Sequence, residues 1–172
     1  AEVYNSLFKL GFGFVEVGTV TPIKQYGNPK PRIFRLEEDE ALINRLGFNN
    51  SGSKNISSRI KSDLPNGFLG VNIGPNKDTK NRIEDYLICL RAFYDLADYL
   101  TINISSPNTE NLRSFHDEKE LNELLDAIEI EKKKLNSSVP IAVKISPDIE
   151  VNNIDNISEL LIKYKIDLAI IS

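Results

Sequence analysis

The sequence predicts an α/β fold built on a parallel β-sheet. Five short runs rich in Val and Ile have the length of strands, and stretches with helical periodicity separate the later runs. Strands that alternate with helices in this way form parallel sheets with crossover helices. The chain has 172 residues, of which 41% are hydrophobic and 27% charged, so we expect one globular domain over residues 1–172.

The predicted strands span residues 14–19, 68–74, 99–105, 140–146 and 166–172. Three helices are predicted from apolar residues that recur every three or four positions, and they span residues 81–97, 117–135 and 151–165. In the second helix the acidic residues come first and the lysines last, which is the order that the helix dipole favours.

The segment between the first two strands, residues 20–66, has a different character. Its first part, "VTPIKQYGNPKPRIFRL", contains three prolines and a glycine, so we predict a long ordered loop or excursion there rather than a plain helix. Loops of this length inside a compact domain usually serve a function.

Each predicted strand carries a polar residue at or near its carboxyl end, where parallel α/β folds bind their ligands. One polar strand end would be an ordinary cap, but five of them favour a binding site. Side chains alternate between the two faces of a strand, so Glu16 is expected on the face opposite to that of Thr19. The sequence suggests no partner for the Glu16 carboxylate. The five polar residues are Thr19, Asn72, Asn103, Lys144 and Ser172.

Asparagine is abundant near these strand ends, and its amide offers both an acceptor and donors. Such a cluster suits a flat ligand edge of alternating N–H and C=O groups, such as a pyrimidine or flavin ring, although several asparagines are also ordinary turn residues. A lysine at a strand end suits negative charge on a flavin, and Ser106 is a candidate base or nucleophile. The asparagines of this cluster are Asn44, Asn49, Asn72, Asn103 and Asn108.

Several classes of function are disfavoured. The net charge is -4 and no basic stripe is present, so nucleic acid is not an expected partner. No apolar run approaches the roughly 20 residues of a membrane span and no signal peptide is evident, so the chain itself reads as soluble. Cys89 is the only cysteine and His116, expected to be solvated, the only histidine, so neither a Ser-His-Asp triad nor a metal site is expected.

Six stretches taken together resemble class 2 dihydroorotate dehydrogenase along nearly the whole chain. That family is an FMN-dependent (β/α)8 TIM barrel, of which about five βα units would be present here. It oxidises dihydroorotate to orotate in de novo pyrimidine biosynthesis and passes the electrons to a membrane quinone. The stretches are "GFGFVEVGTVTP", "GNPKPR", "INRLGFNN", "LGVNIGPNKDT", "NISSPNTENLR" and "VPIAVKISPD".

The resemblance implies a role for individual residues. Ser106 would be the catalytic base that removes the C5 proton, and the serine points to class 2 because class 1 relatives have cysteine there. FMN would contact Thr19, Asn72, Asn103, Lys144 and Ser172. The substrate would contact Asn44, Arg45, Leu46, Gly47, Phe48, Asn103 and Asn108.

The resemblance also implies segments beyond these 172 residues. A substrate lysine motif would precede Ala1, glycine-rich phosphate-binding strands would follow Ser172, and separate helices would hold the enzyme peripherally on the cytoplasmic side of the inner membrane. We therefore expect that the chain alone neither holds FMN tightly nor turns over. Two alternatives stay open: a non-catalytic remnant of a split gene, and a related FMN enzyme acting on another pyrimidine.

Overall fold

The computed structural model describes residues 2–106 and 112–172, and its main element is a five-stranded parallel sheet. The strands are β1 (Phe14–Val20), β2 (Ile33–Leu36), β3 (Ala41–Asn44), β4 (Phe68–Ile73), β5 (Tyr99–Asn103), β6 (Ile141–Ile145) and β7 (Leu168–Ile171). The helices are α1 (Tyr4–Lys9), α2 (Ser53–Ser62), α3 (Arg82–Phe93), α4 (Glu118–Lys134) and α5 (Val151–Lys163), with a 3-10 turn over Leu112–His116 before α4.

The sheet has the order β1-β4-β5-β6-β7, and every neighbouring pair is parallel. Helices α2 to α5 pack against one another in sequence. This arrangement confirms the predicted α/β class, and it is consistent with consecutive βα units of a (β/α)8 barrel. Within the described ranges, no helix has both the length and the apolarity that a membrane crossing requires.

The hydrophobic core lies between the sheet and its helices. Branched side chains of the strands fill it, among them Val71, Ile102 and Val143, each with no exposed surface. Helix α4 adds a stripe at helical spacing that includes Leu121 and Leu124. The apolar face of each central strand thus points to the helices, and the polar face points away from them.

The helix starts follow from local chemistry. The Asp117 carboxylate accepts hydrogen bonds from the backbone N–H groups of Lys119 and Glu120, which caps α4. The Asn81 side chain accepts from the backbone of Glu84 and caps α3 in the same way. Each cap satisfies N–H groups that have no partner inside the helix.

Residues 20–66 contain an antiparallel hairpin, β2–β3, and helix α2, neither of which the sequence pattern indicated. The hairpin residues are mostly exposed, so they lack the alternation that marks a half-buried strand. Asn50 fixes the base of this segment: its backbone pairs with Gln25, and its side chain donates to Thr21 Oγ1 at 2.8 Å and to the Phe48 carbonyl at 2.7 Å.

His116 differs from expectation. We expected a solvated residue, but its Nε2 is buried and has no hydrogen-bond partner within 2–106 and 112–172. Burial lowers the pKa of the imidazole, and the positive charge of Arg113 adds to this effect. The polar residues around His116 did not indicate this burial, because the 3-10 turn that ends at His116 packs Leu112 and Phe115 into the core.

Candidate active site

The polar strand ends meet on the face of the sheet that points away from the helices. All of them except Asn72 border a cavity of about 490 Å³ near the carboxyl ends of β1, β5 and β6. Of the residues predicted for the site, it brings together Thr19, Asn44, Leu46, Gly47, Phe48, Asn49, Asn103, Ser106, Lys144 and Ser172. Residues from the strand ends and from the excursion thus share one space.

Asn103 lies at the centre of this arrangement, at the end of β5. Its backbone carbonyl accepts a 2.7 Å hydrogen bond from the hydroxyl of Tyr86, which fixes the strand end to α3. Its side-chain Nδ2 donates to Thr19 Oγ1 at 2.9 Å, and its Oδ1 accepts from both the backbone N–H and the hydroxyl of Ser105. The amide is therefore buried but fully oriented by its partners.

Thr19 and Glu16 lie on the same face of β1, so the expected opposition of these two side chains is wrong. Val17 pairs with Val71 and Val20 with Ile73, which leaves two residues of β1 opposite one residue of β4. This bulge inverts the alternation after position 18. Gly18 permits it: its φ is +136°, and a Cβ there would lie 2.3 Å from the backbone oxygen of Asn72.

Glu16 has partners that the sequence did not reveal. Its carboxylate accepts from Asn72 Nδ2 at 2.9 Å and from Thr101 Oγ1 at 2.7 Å. Asn72 in turn accepts from Thr19 Oγ1 at 2.7 Å. Burial raises the pKa of Tyr99, and the charge of Glu16 and a hydrogen bond to it raise that pKa further. The acid is thus part of the polar face rather than a misfit.

Lys144 projects from β6 beside Asn103. Its Nζ donates to Ser105 Oγ at 3.0 Å and to the backbone carbonyl of Ser172 at 2.7 Å. Burial lowers the pKa of this lysine, while the negative charge of Glu16 opposes the shift. Ser172 therefore enters the site through its backbone oxygen, in addition to bordering the cavity.

The wall opposite the strands comes from residues 44–48. Gln25 Nε2 donates to the Gly47 carbonyl at 2.8 Å and so holds this stretch against the start of the excursion. Among the predicted residues that the structure describes, Arg45 and Asn72 do not border the cavity. The Arg45 guanidinium donates to the Pro31 carbonyl and lies over the Phe34 ring.

The segment after β5 carries the candidate base. Ser106 is buried, with 8% of its surface exposed, and it borders the cavity. Asn108 lies outside the described residues. Arg113 was missed by the sequence analysis although it borders the same cavity: it donates to the Ser105 carbonyl at 3.3 Å and to Asp148 Oδ2 at 3.2 Å. Its only signal was its place in the "NISSPNTENLR" stretch.

The side chains of the site keep N–H groups that the described hydrogen bonds do not use. Among the described contacts, Asn72 and Asn103 each use one of two side-chain N–H groups, and Lys144 uses two of three. Each of the three side chains therefore keeps an N–H beyond these contacts, and two of the three, Asn103 and Lys144, border the cavity. This donor set suits a planar ligand that carries carbonyl oxygens or negative charge at its edge.

The sequence is similar to that of one protein family along its whole length. A family model described as dihydroorotate dehydrogenase matches residues 1–172. A protein named dihydroorotate dehydrogenase (quinone) from Bartonella tribocorum is 49% identical over 100% of this chain and 49% of its own length. Another of that name, from Novosphingobium aromaticivorans, is 51% identical over 100% of this chain and 50% of its own length.

A solved structure gives the same result for the fold. The crystal structure of DHODH from Eimeria tenella in complex with ferulenol has a TM-score of 0.88 to this chain at 37% identity. The match covers 94% of this chain and 50% of that one. The chain thus spans about half the length of the curated relatives it matches.

Proposed function

Because the chain belongs to the dihydroorotate dehydrogenase family, we propose that its polar sheet face forms part of a site that oxidises dihydroorotate to orotate. FMN is the proposed cofactor and a quinone the proposed final electron acceptor. The observation that carries the proposal is the convergence of Ser106, Asn103 and Lys144 on one cavity, opposite the wall of residues 44–48.

The donor set fits FMN. The three remaining N–H groups of Asn72, Asn103 and Lys144 suit the carbonyl oxygens and ring nitrogens of a flavin edge, and Thr19 and Ser172 complete the proposed contacts. When bound, FMN supplies an acceptor for the two electrons that leave the substrate. Lys144 contributes positive charge beside that acceptor, and its partial burial strengthens this interaction.

The substrate side of the site is the wall formed by Asn44, Leu46, Gly47 and Phe48, together with Asn103 and the proposed contact Asn108. Dihydroorotate carries a carboxylate and a ring of alternating amide N–H and C=O groups. An asparagine side chain can both donate a hydrogen bond to a C=O group and accept one from an N–H group of such an edge, whereas an ammonium group only donates and a carboxylate only accepts. The Phe48 ring supplies apolar surface to exclude water from the same space.

Ser106 is the proposed base for the C5 proton. A serine hydroxyl is a weak base, so proton removal requires a dry environment and positive charge close by. Two observations support this role: Ser106 is buried, and Lys144 and Arg113 border the same cavity. Arg113 also ties the backbone of Ser105 to Asp148, which limits the freedom of the loop that carries the base.

The electron acceptor is proposed from the relatives, whose printed name specifies quinone. A quinone is dissolved in the membrane, so we propose that the protein acts peripherally at the cytoplasmic face of the inner membrane. In this setting the product orotate serves pyrimidine biosynthesis.

A chimera tests the proposal. The matching half of the Bartonella tribocorum enzyme is replaced by residues 1–172, and dihydroorotate-dependent quinone reduction is measured. We expect activity in the chimera and a loss of about 10²- to 10⁴-fold on Ser106→Ala, the range for a lost general base. Ser106→Cys should keep part of the rate, because a thiol can also accept the proton.

Ser58→Ala, at an exposed position of α2, is the matched control and should keep full activity. Bound flavin is measured by its absorbance in every variant, so that lost chemistry is separated from lost folding. A chimera that binds flavin but reduces no quinone, or a Ser106→Ala variant with an unchanged rate, would contradict the proposal.

A further inference from the structure

The hydrogen bonds that cross the polar face all run in one direction. Starting from Lys144 Nζ, the donations pass to Ser105 Oγ at 3.0 Å and from that hydroxyl to Asn103 Oδ1 at 2.9 Å. Asn103 Nδ2 then donates to Thr19 Oγ1 at 2.9 Å, and Thr19 Oγ1 to Asn72 Oδ1 at 2.7 Å. The last link runs from Asn72 Nδ2 to Glu16 Oε1 at 2.9 Å.

The two ends of this series carry opposite charges, with the cation at the donating end and the carboxylate at the accepting end. An ammonium group can only donate, and an ionised carboxylate can only accept. The four side chains between the ends can each act in both directions, but the backbone N–H of Ser105 also donates to Asn103 Oδ1 at 3.0 Å and so fixes the orientation of that amide. Lys144 at one end and Glu16 at the other favour the same direction in every link.

We propose that Glu16 is a positioning residue, which acts through a polarised hydrogen-bond chain to hold the amide of Asn72 and, through it, that of Asn103, which borders the cavity. Hydrogen bonds in such a chain polarise one another, so each link is stronger than it would be alone. Thr101 gives Glu16 a second donor at 2.7 Å and holds the carboxylate in place without being part of the chain.

The consequence is a fixed pattern of donors toward the cavity. With Oδ1 of each amide engaged by a hydroxyl donor, each keeps a second N–H, and the one on Asn103 belongs to a residue that borders the cavity. A neutral amide in place of Glu16 could itself donate, and Asn72 would then be free to reverse. The inference rests on the proposed function only for the identity of the ligand that these amides meet.

The test uses NMR on the 172-residue chain labelled with ¹⁵N. The exchange rates of the side-chain amide protons of Asn72 and Asn103 are compared with those of Asn156, which is exposed on α5. Glu16→Gln should speed the exchange of Asn72 by about tenfold, the effect of losing one charge-assisted hydrogen bond. The exchange of Asn103 should rise by a smaller factor, because its own bond runs to the neutral Thr19 hydroxyl and only the polarisation of the series is lost. Asn103 is the decisive probe, because it does not contact Glu16 directly: Thr19 and Asn72 lie between them in the hydrogen-bond series.

Two control variants separate positioning from general loosening. Glu38→Gln changes an exposed acid in the β2–β3 turn and should leave both rates unchanged. Thr101→Val removes the second donor to Glu16 but keeps every link of the chain, so its effect on Asn103 should be much smaller than that of Glu16→Gln.

Lys144→Met perturbs the hydrogen-bond series at its other end. It therefore tests the proposal even if the Glu16→Gln variant does not fold. It should speed the exchange of Asn72, which is four links away and makes no direct contact with the lysine. Unchanged exchange of Asn103 in Glu16→Gln, or of Asn72 in Lys144→Met, would overturn the proposal. None of these measurements uses flavin or dihydroorotate, so their outcome is independent of the proposed activity.

Discussion

Replacing Gly70 with alanine should displace the Tyr99 ring from the polar face of the sheet. An added Cβ would lie 2.1 Å from Cζ and 2.4 Å from Cε1 of that ring, whereas carbon atoms in contact need about 3.5 Å. The ring must therefore move by roughly 1 Å or more. It stacks on Phe68 with ring centroids 5.8 Å apart and interacts with Glu16, so a shift disturbs both contacts.

Overpacking of this kind destabilises a protein by about 1–3 kcal/mol. For a chain of this size each kcal/mol lowers the melting temperature by roughly 2–4 °C. Urea unfolding followed by circular dichroism measures the loss as a lower midpoint with an unchanged slope. Gly13→Ala is the matched control: a Cβ there meets nothing within 4 Å, so we expect a change below about 0.5 kcal/mol.

A second substitution shows whether the ring is the cause. In a Tyr99→Leu background the shorter side chain leaves room for the new methyl group, so Gly70→Ala should cost almost nothing. A Gly70→Ala variant as stable as Gly13→Ala, or an equal cost of Gly70→Ala in both backgrounds, would show that the Tyr99 ring is not displaced.

Three further substitutions test other parts of the structure. Tyr86→Phe removes the hydroxyl that donates to the Asn103 carbonyl, and calorimetry should show a loss of about 1–2 kcal/mol. Asn50→Ala removes the side-chain bonds that close the excursion, and urea unfolding should show a loss of about 2 kcal/mol. Hydrogen bonding to Arg91 lowers the pKa of Glu131. This pair therefore stabilises the fold above pH 4.5, and the stabilisation is lost as the pH falls and the carboxylate is protonated. As the pH is lowered, the urea midpoint of Glu131→Gln should decrease less than that of the wild type.

The regular part of the fold was predictable from the sequence. Strands β4, β5 and β6 are buried runs of branched side chains, and α4 has a continuous apolar stripe with a capping aspartate. These signals repeat over several residues, so local deviations do not hide them. The polar strand ends were also found, because parallel strands bring their carboxyl ends to one edge of the sheet.

The missed features depend on single residues or on distant contacts. The face of Glu16 depends on one extra residue in the bulge at Gly18, which periodicity does not register. Hairpin β2–β3 is exposed and so has no alternation. Arg113 enters the site only because the fold brings it back to Ser105.

The central claim is that Ser106 takes the C5 proton of dihydroorotate at this face of the sheet. The most direct measurement is the rate of quinone reduction by the Bartonella chimera with substrate carrying hydrogen or deuterium at C5. We predict a slower rate with deuterium, and loss of nearly all reduction in the flavin-loaded Ser106→Ala variant. Equal rates with the two substrates together with full activity of that variant would contradict the claim.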